Sequence, residues 1–205
     1  MGHKMEPIRS LDQVHDIEVT LSRLDTERGR RMFLLWETGI ELGLRIGDLV
    51  TLRVGDLRGQ KTYTFTPQKT KHTKKNPQPV TITLSPKLKK VIEARTVGMT
   101  DQAWLFVSRK KTPGGNPRHI SRQTALNDIK EIGRICKVGI PIGCHTMRKT
   151  FGYQYYKKQR DVAKLQKWFD HSTPEITLIY IGIAEDELRE MTDNSPFADL
   201  TDVVL

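Results

Sequence analysis

The sequence has no apolar stretch long enough to cross a membrane. A spanning helix needs roughly 20 consecutive apolar residues, and the longest clean runs, such as Phe33 to Trp36, are a fraction of that. The N-terminus, Met1-Gly2-His3-Lys4-Met5, has no apolar core of the kind that drives secretion, and residues 1–5 read as a cloning remnant ahead of an internal Met. Only two cysteines are present, Cys136 and Cys144, which excludes a disulfide framework and fits a reducing cytoplasm. His145 follows Cys144, but the spacing fits no common zinc site and a fourth ligand is missing, so no metal is expected and the cysteines read as small core residues. Internal repeats and low-complexity segments are also missing.

Positive charge is abundant. The 205 residues carry a formal charge of +10 and a pI near 9.7, with 37% hydrophobic residues, enough for one good core. Residues 182–205 hold seven acids and one base, so residues 1–181 stand at +16. Between Arg53 and Lys90 ten Lys and Arg face a single acid, Asp56. Such density suits a polyanion such as nucleic acid, or else forms a solvated basic face with no partner.

Apolar residues at Leu11, Val14, Ile17, Leu21 and Leu24 recur at helical spacing and predict an amphipathic helix. A second helix is expected over 26–42, starting after Thr26 and weakened at Gly29, and a third over about Ile46 to Leu52. Thr62 to Thr66 and Val80 to Leu84 are rich in β-branched and aromatic residues and predict a hairpin with a long basic loop, Pro67 to Pro79. Ser85-Pro86 opens a helix to about Thr96. Trp104 to Ser108 reads as a short strand or extended piece, and Lys110 to Arg118 as a loop. Ser121 caps a helix to about Lys137, and further helices follow near 145–158, 161–170 and 173–181. The expected fold class is mixed α+β, predominantly α-helical, with one small antiparallel β-sheet.

Three local patterns carry chemistry. The first is Glu41-Leu42-Gly43-Leu44-Arg45-Ile46-Gly47-Asp48-Leu49. The second is His145-Thr146-Met147-Arg148, with His and Arg at i and i+3 on one helix face. The third is His171 with Tyr180 nine residues later and Ser172-Thr173-Pro174 opening the helix between them. In this order, and with 23 residues from Arg148 to His171, they resemble the active-site boxes of the tyrosine recombinase family, the phage-integrase type. The resemblance spans about residues 30–183.

It implies a tyrosine recombinase catalytic domain over residues 6–183 that cleaves and rejoins double-stranded DNA through a 3′-phosphotyrosyl intermediate. Tyr180 would be the nucleophile. Arg45 and Arg148 would hold the non-bridging phosphate oxygens, and His145 and His171 would hydrogen-bond or transfer protons. Asp48 would orient Arg45; taken alone, Arg45 and Asp48 read as an ordinary surface ion pair. The family also uses a hairpin Lys as general acid, here Lys69, with Lys71 two residues away as the alternative. Lys71, Lys74, Lys75 and Arg118 are the expected DNA contacts, with Arg109, Lys110 and Lys111 as further basic residues nearby. The scheme uses no metal or cofactor. Tyr153, Tyr155 and Tyr156 are rival phenols that read as packing or backbone-contacting groups.

Relatives usually have Leu-Gly before the second His, where this chain has Phe169-Asp170. Asp170 could repel DNA or hydrogen-bond His171. A separate N-terminal core-binding domain, usual in relatives, is expected to be absent. The acidic segment 184–205, helical over Ala184 to Met191 with Phe197, Leu200, Val203 and Val204 beyond, would pack on a neighbouring protomer in a tetrameric synapse, fold back on its own domain, or remain a disordered tail. A type IB topoisomerase-like relaxing enzyme and a catalytically degenerate DNA-binding accessory protein are the rival functions.

Overall fold

The structure is a computed structural model that describes residues 5–67 and 79–194. Lys69, Lys71, Lys74 and Lys75, and the apolar residues Phe197, Leu200, Val203 and Val204, lie outside the described residues. The elements run α1 Leu11–Ser22, α2 Glu27–Leu42, α3 Ile46–Leu49, a 3-10 turn Val54–Asp56, β1 Thr62–Phe65, β2 Val80–Thr83, α4 Pro86–Arg95, α5 Arg122–Ile135, α6 Thr146–Gln159, α7 Val162–Phe169, α8 Pro174–Ile181 and α9 Ile183–Asp193. The chain divides into two compact units, Met1–Phe151 and Gly152–Leu205.

Most helices start where a short polar side chain can accept an orphan amide. Ser10, Thr26, Ser85, Ser121 and Thr173 each take the N–H of the residue three positions on, and Asp161 does the same for α7. Each such cap contributes about 1 kcal/mol. Pro86 and Pro174 sit at the first turns of α4 and α8, where the missing N–H has no intrahelical role.

In the first unit α2 is the central element. It packs against α1, α3, α4 and α5, and Met32 through Gly39 are all buried. A helix buried on every side takes its stability from neighbours rather than from one apolar stripe, which is why its sequence shows a solid apolar run at Met32 to Trp36 and no clean period. Gly29 is buried within it and does not interrupt it. Glu37, 1% exposed, meets the Lys87 ammonium at 2.9 Å, and Lys87 also bonds Glu18, so one cation from α4 joins acids of α1 and α2. Burial raises the Glu37 pKa, and Lys87 opposes the rise.

β1 and β2 form an antiparallel pair, with Thr62 opposite Thr83 and Phe65 opposite Val80. Ile82 faces inward, and Tyr63 stacks on Phe65 with ring centroids 5.4 Å apart. In the second unit α7 packs on α8 and α8 on α9. Among the described residues no helix is long and apolar enough to cross a membrane.

Several expectations are corrected. The third helix ends at Leu49 and the chain turns at Val50, freeing Leu52 to enter the core, where its carbonyl accepts the Leu105 N–H at 2.9 Å. Of the two alternatives for Trp104 to Ser108, the regular strand does not form; the segment makes only isolated bridges, from Arg53 to Trp104 and from Val107 to His119. Cys136 and Cys144 are half-buried rather than core residues, because each stands at the end of its helical or turn segment; burial pushes both thiols up, keeping them protonated. The helix after Tyr180 runs longer than Ala184 to Met191, and Leu188 and Met191 on it are exposed.

Gly43 ends α2 in the left-handed region (φ 58°), and a Cβ there would lie 2.4 Å from the Phe151 ring. Gly59 has φ 71° with open space around it. Gly43→Ala should therefore lose about 2 to 4 kcal/mol, left-handed strain plus overpacking, and Gly59→Ala only about 1 to 2 kcal/mol. Urea unfolding of the two variants beside the parent checks this; equal losses would show that the Phe151 contact contributes nothing.

Candidate active site

In the first unit the Arg45 and Arg148 boxes meet through backbone. The left-handed Gly43 turns the chain out of α2, its N–H returning to the Gly39 carbonyl at 3.1 Å. The Gly43 carbonyl then accepts Nη1 of Arg148 at 2.6 Å. Arg45 follows in extended conformation, half-buried, and its carbonyl accepts the N–H groups of Asp48 and Leu49, both at 2.9 Å, starting α3. Asp48 is buried in that turn. Arg148 is only 3% exposed, which places an obligatory cation against the Gly43 carbonyl.

His145 stands immediately before α6 rather than on its face. Its carbonyl accepts the Lys149 N–H at 2.8 Å, the first bond of the helix. Thr146 and Gly143 exchange two hydrogen bonds of 3.0 Å, closing the turn that aims His145. Partial burial, followed by the positive charges of Arg148, Lys149 and Arg45, holds the His145 pKa below its usual range. The residue still reaches the surface. Thr150, one turn further, accepts the Ile8 N–H at 2.9 Å and anchors the segment before α1.

In the second unit His171 and Tyr180 are brought together. Their ring centroids are 5.1 Å apart in a T-shaped arrangement, and Phe169 stands against both, 5.4 Å from His171 and 5.5 Å from Tyr180. Gln166 Nε2 donates to the carbonyls of His171 and Ser172, at 3.3 and 3.1 Å, fixing the loop between α7 and α8. His171 Nδ1 lies 3.0 Å from the hydroxyl of buried Thr177, which also reaches the Thr173 carbonyl at 3.3 Å. A hydroxyl has one proton, and a carbonyl can only accept. Thr177 therefore donates to Thr173 and accepts from His171, which puts the neutral ring's proton on Nδ1 and its lone pair on Nε2. Of the rival phenols, Tyr153 is buried, while Tyr155 and Tyr156 are half-buried.

The phage integrase family profile matches residues 12–187. The chain is 36% identical over 188 residues to the probable integrase/recombinase YoeC of Bacillus subtilis (strain 168), covering 91% of this chain and 94% of that protein. The chain belongs to the phage integrase family. Solved structures share its fold. The XerA recombinase superposes with a TM-score of 0.68 at 20% identity, covering 95% of this chain and 67% of its own. XerH, in a post-cleavage complex with its palindromic difH substrate, superposes with a TM-score of 0.66 at 15% identity, covering 93% of this chain. This chain spans 54% of the XerH chain.

Set in the phage integrase family, Asp170 has a backbone explanation. It caps α7 in the left-handed region at φ 53°, its N–H returning to the Gln166 and Lys167 carbonyls. Glycine suits that conformation, and Asp is among the few other residues that adopt it readily. The departure from Leu-Gly keeps the turn that delivers His171.

Two parts of the candidate site carried no sequence signal. Thr177 is identified only by its bond to His171. Arg122, the first residue of α5, lays its guanidinium on Gly47 of the Arg45 box, with Nη2 2.6 Å from where a Cβ would stand. A bulkier residue at 47 would displace it. Among the described residues no three His, Cys, Asp or Glu side chains are grouped to hold a metal.

Two outcomes follow. Because the His145 pKa is lowered on folding, the stability it contributes is present above the unfolded value near 6.5 and lost as pH falls toward the folded one; unfolding of His145→Gln between pH 7 and 5 should be less acid-sensitive than that of the parent. For His171, ring ¹⁵N shifts should report the Nδ1–H tautomer. Thr177→Ser should keep it and Thr177→Val should lose it, at a stability loss of about 1 kcal/mol; a tautomer indifferent to both variants would refute the assignment.

Proposed function

We propose that this chain is the catalytic domain of a site-specific DNA recombinase that cuts and rejoins duplex DNA through a covalent link to Tyr180. The observation that carries the reading is the family match over residues 12–187, which takes in the Arg45, His145–Arg148 and His171–Tyr180 boxes in order. Tyr180 Oη attacks the scissile phosphorus and the bond to the 5′ oxygen breaks. The 3′ phosphate stays on tyrosine and a 5′ hydroxyl leaves. The phosphodiester energy is kept in the new bond, so rejoining needs no ATP, metal or other cofactor.

Physical chemistry divides the work among the residues. A phenol of pKa near 10 is about one part in a thousand ionised at pH 7, which costs roughly 4 kcal/mol unless a base or cations help. Arg45 and Arg148 carry fork-shaped donors for the two non-bridging oxygens, and one well-aimed donor to a developing oxyanion contributes about 3 to 4 kcal/mol. The magnitudes are comparable. His171, with its lone pair on Nε2 and its ring against Tyr180, suits the transfer of the phenolic proton, while His145 hydrogen-bonds the phosphate. Asp48 orients Arg45, and a hairpin lysine, Lys69 or Lys71, protonates the leaving 5′ oxygen.

The +16 charge of residues 1–181 supports DNA binding, as does the likeness to XerH, a site-specific recombinase solved bound to its palindromic difH substrate. Lys71, Lys74, Lys75 and Arg118 are assigned to the backbone. Residues 6–183 form the catalytic domain, acting on cytoplasmic DNA, and the acidic 184–205 segment, with Leu188 and Met191 exposed on α9, joins protomers in a tetrameric synapse.

The test is a nicked suicide substrate carrying the cognate core site. The wild-type chain should form a covalent adduct that resists denaturation, and Tyr180→Phe should form none, at least a thousandfold below wild type (roughly the scale of losing a nucleophile). An adduct that survives Tyr180→Phe moves the nucleophile elsewhere. No adduct on DNA that the protein demonstrably binds supports an accessory, non-cleaving role.

A further inference from the structure

We infer that Met5 to Ile8 form a strap that positions the His145–Arg148 box for reaction, with Met5 and Thr150 as its positioning residues. The inference rests on the reading of this chain as a DNA-cleaving recombinase. Neither residue belongs to the three catalytic boxes, and both act through the segment that carries His145.

The strap meets the box on both sides. Ahead of it, the Met5 side chain lies on Gly143, two residues before His145, with Sδ 2.9 Å and Cγ 3.6 Å from where a Cβ on residue 143 would stand. Gly143 is also half of the turn that presents His145, its N–H donating to the Thr146 hydroxyl and its carbonyl accepting the Thr146 N–H, both at 3.0 Å. Behind the box, the Ile8 N–H donates to the hydroxyl of Thr150 at 2.9 Å, two residues after Arg148. Ile8 is fully buried and Thr150 is 2% exposed. This bond is therefore shielded from water, and losing its acceptor would leave a buried donor unpaired. One short segment holds both ends of residues 143–150.

The strap is stiff and tied down at its far end. Pro7 is buried between the two contacts. Its ring fixes φ and restricts Glu6 to extended backbone, and without an N–H it brings no donor that burial would strand. The Arg9 guanidinium meets the Glu6 carboxylate at 3.1 Å. Ser10 then caps α1, whose Val14, Ile17 and Leu21 are buried and which packs on α2. α2 ends at Gly43, the residue whose carbonyl holds Arg148. Through α1, the strap joins the helix that fixes the Arg148 guanidinium to the turn that presents His145.

His145 stands on a turn rather than within a helix, so its direction depends on what holds Gly143 to Thr146. Displacing a catalytic group by about 1 Å can cost on the order of a hundredfold in rate. The low pKa of His145 comes from partial burial and then from Arg148, Lys149 and Arg45, and all of these depend on where the turn keeps the ring. A strap that only added stability would leave that environment, and the rate on bound DNA, unchanged in a folded variant.

The test uses the full chain and a nicked suicide duplex carrying the core site. Thr150→Val removes the acceptor of the Ile8 N–H, Thr150→Ser keeps it, and Met5→Ala removes the contact on Gly143. In Thr150→Val and Met5→Ala the rate of adduct formation at saturating DNA should fall about tenfold or more, with DNA affinity unchanged. The His145 ring, followed by NMR titration, should regain a pKa nearer its ordinary value in both. Thr150→Ser should match the parent in rate, affinity and titration. Should Thr150→Val fail to fold, Met5→Ala, at the half-buried end of the strap, carries the test alone. Where the wild type forms its adduct, an unmoved rate or an unmoved His145 in a folded variant overturns the inference. So does weaker DNA binding at an unchanged saturating rate, which would make the strap part of the binding surface, and so do equal losses in Thr150→Ser and Thr150→Val. The two readings fail separately: a wild-type adduct with variants at the parent's rate sinks the strap alone, and no wild-type adduct with a moved His145 sinks the cleavage reading alone.

Discussion

The hydrogen bond from Arg148 to the carbonyl of Gly43 is the constraint on which the placement of both arginines in the first unit depends. A buried guanidinium without acceptors is untenable, because leaving a charged donor unsatisfied costs several kcal/mol. Gly43 supplies the acceptor only because it ends α2 in a left-handed turn, which swings its carbonyl outward, and only because the missing side chain leaves space for Phe151. Residues 43 and 148 thus fix each other. Arg45 is two residues from this junction, so the helix end that satisfies Arg148 also delivers the second arginine.

The surrounding core makes that junction rigid. α2 is enclosed by α1, α3, α4 and α5, and its Glu37 is tied to Lys87 within the packing. At its N-terminal end Arg28 and Arg31 close on Asp128 of α5. The two buried acids that tie α2 to its neighbours, Glu37 and Asp128, are each paired with a cation. Such pairs add little net stability, but each is directional and fixes how its two helices register.

The second unit solves a smaller problem by similar means. Tyr180 and His171 lie on either side of the start of α8, and a left-handed Asp170, a Thr173 cap and the Thr177 hydroxyl determine the loop and ring between them. Asp170 reads in sequence as a carboxylate that would repel DNA or hydrogen-bond His171. In the fold it is a residue that tolerates the backbone a helix cap requires.

Helix starts, the hairpin strands and the three boxes were legible in the sequence because their signals are local: a capping hydroxyl three residues from its amide, a short run of β-branched and aromatic residues, an arginine after a Gly-Leu break. Outcomes that depend on distant partners leave no such local signal. The length of α3, the irregular path of Trp104 to Ser108 and the half-exposure of the cysteines follow from what packs alongside them. So do the roles of Thr177 and Arg122, common residues whose contacts only the fold creates. By itself the sequence determined the family and the order of the chemical groups, since both are written in spacing along the chain. Tertiary structure alone decided which carbonyl holds Arg148, which nitrogen of His171 carries its proton, and that arginines 97 and 100 residues from Asp128 close upon it, because hydrogen bonds and ion pairs act over a few ångströms of space regardless of separation in sequence.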